Sequence, residues 1–158
     1  KLVFVDVNFT NLSFDIEKLK AAITPQTKAI FLTHVLGINA LTKQLIDICE
    51  SQSILLIEDV CESHGTTFKG QKVGTYGFAS NFSFYFSHHM STIEGGIIST
   101  NDYEFYQVCR ALRSHGMARE ITDDVMRQKY TDDNPMLSSD FIFIISGHTE
   151  HLFAIQAQ

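Results

Sequence analysis

Short apolar runs and amphipathic segments alternate along most of this chain. KLVFVDV (1–7), KAIFLTHV (28–35) and ILLIED (54–59) are apolar and rich in β-branched residues, the pattern of strands, and the last has the look of a strand buried on both faces. Between them, DIEKLKAAI (15–23) has helical spacing with Asp15 near its start, and ALTKQLIDICESQ (40–52) puts Leu41, Leu45, Ile46 and Cys49 on one helical face. NFSFYF (81–86) and GGIIST (95–100) predict two further strands. NDYEFYQVCRALRSHG (101–116) predicts a helix, with Asn101 as N-cap, Glu104 completing a capping box and Gly116 as the stop. Strands taking turns with helices predict an α/β fold, a three-layer sandwich whose mostly parallel sheet is covered on both faces.

Past residue 120 the pattern weakens. ITDDVMRQKYTDDNPMLSSD is polar, acidic and holds Pro135, so it predicts a surface loop with one helical turn at most. FIFIISG is apolar again, and HTEHLFAIQAQ is expected to open a helix.

Composition narrows the class. With 158 residues, 44% hydrophobic and 19% charged, the chain can fill one core and reads as one globular domain or as part of a larger one. Its net charge is -6 and its Lys and Arg are scattered, which argues against a nucleic-acid partner. Cys49, Cys61 and Cys109 form no Cys-x-x-Cys pair, so they suit free thiols in a reducing, cytoplasmic setting. No apolar run approaches the roughly 20 residues that span a bilayer, and the start lacks the order of a signal peptide. The chain begins inside an apolar run without Met, which suggests a piece of something longer.

Candidate chemistry collects at strand ends. In open α/β sheets ligands bind beyond the carboxyl ends of the strands, and here His34, Asp59, and Ser87 with His88 stand at such ends. Each also has a plain reading. Asp59 serves as an N-cap, Glu62 as a solvated carboxylate, His34 and His64 as packed histidines, and Ser83, opposite Phe82, Phe84 and Phe86, as a small residue that lets a neighbour pack. A metal held by His88 and His89 is geometrically awkward, because adjacent side chains point apart and no Asp, Glu or Cys lies at ligand spacing close by.

The joint pattern is more specific than any one residue. VFVDVNFTNLSFDIEKLKAAITPQTKAIFLTHVLG, LLIEDVCESHGTTFKGQKVGTYGFASNFSFYFSHHMSTIEGG and LRSHGMAR together resemble the DegT/DnrJ/EryC/StrS family, the sugar-modifying branch of the fold-type I, pyridoxal-phosphate-dependent aminotransferases. The resemblance covers most of residues 1–119 and implies that 1–158 is the central part of the large, cofactor-binding domain. In that family a lysine normally sits five residues after the Ser of Phe-Ser-Phe and bonds the cofactor aldehyde; here that position is His88. Imidazole forms no stable imine yet exchanges protons near neutral pH, which points away from an aminotransferase. The branch with His at this place is the deoxysugar 3-dehydratases, and Glu62, where aminotransferases of the family commonly carry Gln, agrees with it.

The resemblance implies a role for each position. Asp59 would pair with the pyridine nitrogen of pyridoxal 5′-phosphate or pyridoxamine 5′-phosphate, Glu62 would face the ring's 3-hydroxyl, Ser83 would bind the phosphate, and His88 would be the catalytic acid-base residue. Glutamate would be the amino donor, a nucleotide-linked 4-keto-6-deoxyhexose the substrate, dehydration at C3 the reaction, and a homodimer with shared sites the assembly. Two alternatives stay open. An iron-sulfur-linked CDP-sugar dehydratase would carry its first cluster cysteine near Met117 to Glu120, where this chain has none. A non-catalytic relative, a sensor or a decayed copy, is kept open by His148, Thr149 and His151, which stand where the family has a Gly-Tyr-Asn-x-Arg element.

Overall fold

The computed structural model describes residues 1–145 and the backbone of 153–157. The chain divides into two compact units, Lys1–Gly96 and Ile97–Gln158.

The first unit is built on parallel strands. Helix α1 (Ile16–Ala22) starts where the Asp15 carboxylate accepts from the amides of Glu17 and Lys18, as the sequence predicts. Strand β1 (Ala29–Thr33) follows, then α2 (Lys43–Gln52), capped by the Thr42 hydroxyl on the Leu45 amide at 3.1 Å, then β2 (Leu55–Asp59). Thr67–Phe68 (β3) and Gln71–Lys72 (β4) form a hairpin closed by Lys69 and Gly70, both at positive φ, the geometry of a tight two-residue turn. Strand β5 (Ala79–Ser83) completes the order β1-β2-β5, with all pairings parallel.

Both helices cover the same face of these strands. Leu19 from α1 and Leu45 and Cys49 from α2 bury against Ile30, Leu32 and Leu56. Full burial of a leucine such as Leu45 contributes about 1.5–3 kcal/mol. Side chains alternate along a strand, so Phe31 and Leu55 point to the other face, where they are 53% and 44% exposed. ILLIED is therefore buried on one side rather than two within this unit.

Residues 1–7, expected as a strand, make none. Leu2, Phe4 and Val7 are exposed, and a single bridge joins Val7 to Phe14 across a turn closed by the Asn8 and Leu12 amides. A β-branched run becomes a strand only beside a partner, and no neighbouring strand among the described residues pairs with it.

The second unit carries β6 (Gly96–Thr100), which starts at the boundary, and α3 (Tyr103–Arg113). The N-cap of α3 is Asp102 rather than Asn101; its carboxylate accepts from the Phe105 amide at 2.7 Å, which leaves Glu104 one place early for a capping box. The expected acidic loop contains a third long helix, α4 (Asp124–Asp132), with Asp123 as its cap and no buried residue. The expected terminal helix is a strand, β7 (Phe153–Ala157), beside β6. No helix among the described residues is long and apolar enough to cross a membrane.

Gly116 ends the turn after α3 at φ 81, and a Cβ there would lie 1.8 Å from the Ile145 carbonyl oxygen. Gly116→Ala therefore combines a left-handed backbone with a main-chain clash, and is expected to destabilise the second unit by about 2 kcal/mol or more. Thermal unfolding checks this; an unchanged midpoint would contradict the packing described.

Candidate active site

The residues singled out by sequence lie in the first unit, at the carboxyl ends of β1, β2 and β5. Register pairs Thr33 with Asp59 and Asp59 with Asn81. Ser83, two residues past Asn81, therefore shares the open face with Asp59, while His34, Glu58, Ser80 and Phe82 point to the helix-covered face.

Asp59 is half-buried and held by one oxygen. Its Oδ1 accepts from the Cys61 amide at 3.1 Å and from Asn81 Nδ2 at 3.0 Å. Glu62 follows in the turn after β2, and its Oε2 accepts from the Leu36 amide at 2.9 Å, tying the β1 loop to the β2 loop. Ser83 Oγ accepts from the Tyr85 amide at 3.3 Å.

His88 sits in a loop whose ends are pinned. The Phe84 amide donates to Gly95 O at 2.8 Å and the Thr92 amide to Phe84 O at 2.9 Å, so the Phe-Ser-Phe strand end and the Glu94-Gly95 turn close the segment between them. Inside it, the His88 amide donates to Tyr85 O at 3.0 Å, and the half-buried His88 ring meets the Tyr85 ring edge-on at 6.1 Å. His64, two residues past Glu62, contacts the His89 ring at 4.7 Å and packs against Phe82 and Phe84. The Glu62 segment and the His88 segment thus meet through His64. Burial, and then the nearby His89 and His88, hold the His64 pKa below the ordinary histidine value.

Two residues that sequence reasoning passed over organise this corner. Glu58 is fully buried, and its carboxylate accepts from the amides of Gly74, Tyr76 and Gly77 at 2.7–2.8 Å and from His34 Nε2 at 3.1 Å. His34 Nδ1 accepts the Ala40 amide at 3.0 Å, so its Nε2 carries the hydrogen that Glu58 receives. His34 is therefore a packed histidine within the fold, directed away from the open face. Asn81 is the other residue; the signal for both was their place in a strand, one before Asp59 and two before Ser83. His148, Thr149 and His151 lie outside the described residues.

A profile of the DegT/DnrJ/EryC1/StrS aminotransferase family matches residues 1–157. The chain belongs to this family. It is 38% identical over 151 residues to GDP-4-keto-6-deoxy-D-mannose 3-dehydratase of Yersinia pseudotuberculosis, covering 92% of this chain and 37% of that protein. The E. coli GDP-4-keto-6-deoxy-D-mannose-3-dehydratase with bound hydrated PLP superposes with a TM-score of 0.72 at 35% identity, over 92% of this chain and 37% of that one. A GDP-4-keto-6-deoxymannose-3-dehydratase with a trapped PLP-glutamate geminal diamine gives 0.73 at 34% identity, over 92% and 38%. The fold is thus that of the pyridoxal-phosphate-dependent aminotransferases, and the chain spans a little over a third of the length of these family members.

Proposed function

We propose that this chain is the central, cofactor-holding part of a pyridoxal-phosphate-dependent enzyme that removes the C3 hydroxyl from a nucleotide-linked 4-keto-6-deoxyhexose. One combination carries the reading: an Asp59 carboxylate anchored through one oxygen, together with an imidazole at His88 where family aminotransferases carry the aldehyde-bonding lysine.

The residues present fit the cofactor. Asp59, with Oδ1 held by Asn81, would turn Oδ2 to a protonated ring nitrogen, and its charge would hold that nitrogen protonated. Glu62, fixed through Oε2, would turn Oε1 to the ring's 3-hydroxyl. Ser83 accepts its one bond from the Tyr85 amide, so its own O–H remains to donate to the phosphate. When bound in its pyridoxamine form, the cofactor would supply an amine for the sugar's 4-keto group and a ring able to accept the electron pair from C4′, with glutamate as the source of the amine.

His88 takes the proton from C4′ and is then able to give it to the departing 3-hydroxyl. Lacking a primary amine, it does not compete for the cofactor aldehyde. Net reaction of the sugar with glutamate then yields a 3-deoxy ketosugar, 2-oxoglutarate and ammonia, with no amine left on the sugar.

That balance provides the test. The full-length protein, given pyridoxal phosphate, glutamate and GDP-4-keto-6-deoxymannose, is expected to release ammonia and 2-oxoglutarate in equal amounts and a sugar lighter by one oxygen. An amino sugar without ammonia would make it an aminotransferase, and absence of both products would favour a non-catalytic relative.

A further inference from the structure

Asn81 stands between Asp59 and Ser83 on the open sheet face, level with Asp59 in the β2–β5 register. Its Nδ2 donates twice, to Asp59 Oδ1 at 3.0 Å and to Cys61 Sγ at 3.1 Å. The Asp59 carboxylate only accepts, so the NH2 end of the amide must face it, and the Cys61 sulfur takes the second hydrogen. We propose that Asn81 is a positioning residue for Asp59: by pinning Oδ1 from a neighbouring strand it aims Oδ2 at the ring nitrogen of the cofactor. The inference rests on the cofactor reading above.

A carboxylate rotates easily about its last torsion, and the Cys61 amide, which belongs to the same turn as Asp59, makes only a local bond. The Asn81 bond comes from a different strand, 22 residues away, so it ties the carboxylate to the sheet rather than to its own loop. Burial, and then Asp59 itself, push the Cys61 thiol up to about 12, so the group sharing the amide stays neutral and sets no second negative charge beside the ring nitrogen. Supporting bonds of this kind govern how tightly a site holds its ligand, because a group that must first be ordered binds more weakly.

A double-mutant cycle on cofactor affinity tests the assignment in the full-length protein. Pyridoxal phosphate is titrated by absorbance into wild type, Asn81→Leu, Asp59→Ala and the double variant, and thermal unfolding is recorded for each. Asn81→Thr, which suits a strand but lacks the amide, is measured alongside in case the leucine variant fails to fold. Asn81→Leu or Asn81→Thr is expected to weaken binding about tenfold, the size of one hydrogen bond to a charged group. Asp59→Ala is expected to weaken it about a hundredfold, and the double variant to bind no more weakly than Asp59→Ala, since Asn81 then has nothing to aim. Wild-type affinity in both Asn81 variants, or losses that simply add, overturns the role of Asn81 while leaving the cofactor reading intact. A wild type that binds no pyridoxal phosphate overturns both.

Discussion

Replacing His88 with Asn is expected to lower the rate of C3 dehydration by about 10²–10⁴-fold, the usual contribution of a positioned acid-base group. Asparagine keeps a polar side chain of similar reach but moves no proton. The affinity for pyridoxal phosphate is expected to change little, because the contacts proposed for Asp59, Glu62 and Ser83 remain. The fall should therefore appear in kcat rather than in cofactor binding, and steady-state kinetics alongside a cofactor titration separate the two. A variant that retains more than about a tenth of the wild-type rate would remove His88 from the chemistry.

The second large effect is on stability. Glu58→Gln is expected to destabilise the first unit by about 3 kcal/mol, since one carboxylate oxygen becomes an NH2 that faces donors. At least one of the Gly74, Tyr76, Gly77 and His34 hydrogens then loses its acceptor in a fully buried place. The same group gives a pH dependence. Burial is the largest single influence on Glu58 and raises its pKa, but the bonds from His34 and the amides of Gly74, Gly77 and Tyr76 together outweigh it and hold the pKa below the ordinary 4.5. A depressed folded-state pKa means that the unfolded chain binds the proton more readily. Its stabilisation is complete above pH 4.5 and is lost as pH falls below that value through the folded-state pKa. Denaturation of wild type and Glu58→Gln across this range should show the variant's stability falling less steeply with acid. Parallel curves would contradict the role given to Glu58.

Much of this arrangement is legible in the sequence because it depends on period. Asp15 before an amphipathic run marks the start of α1, whereas ILLIED, read as buried on both faces, does not tell which of Glu58 and Asp59 faces the helices. The parts that escape reading depend on contacts distant in sequence. Glu58 draws its donors from residues 16 to 24 positions away, and Asn81 reaches Asp59 across 22. Residues 1–7 have strand propensity but no paired neighbour, so propensity alone misleads. Helix α4 buries no residue, so it has no apolar period to detect, and only the Asp123 cap announces it. HTEHLFAIQAQ is expected to open a helix, but a short apolar run carries no clear period, and Phe153–Ala157 forms a strand beside β6. The His88 position is visible in sequence only against the family pattern, since an imidazole after Phe-Ser-Phe carries no signal by itself.

The most direct measurement is an absorbance titration of the full-length protein with pyridoxal phosphate and then glutamate, comparing wild type with His88→Lys. Wild type is expected to bind the cofactor without a borohydride-trappable adduct and to pass to the pyridoxamine spectrum on adding glutamate, and His88→Lys is expected to become trappable. A wild type with no cofactor band at saturating concentration, or a lysine at position 88 that traps nothing, would contradict the placing of His88 beside the cofactor aldehyde.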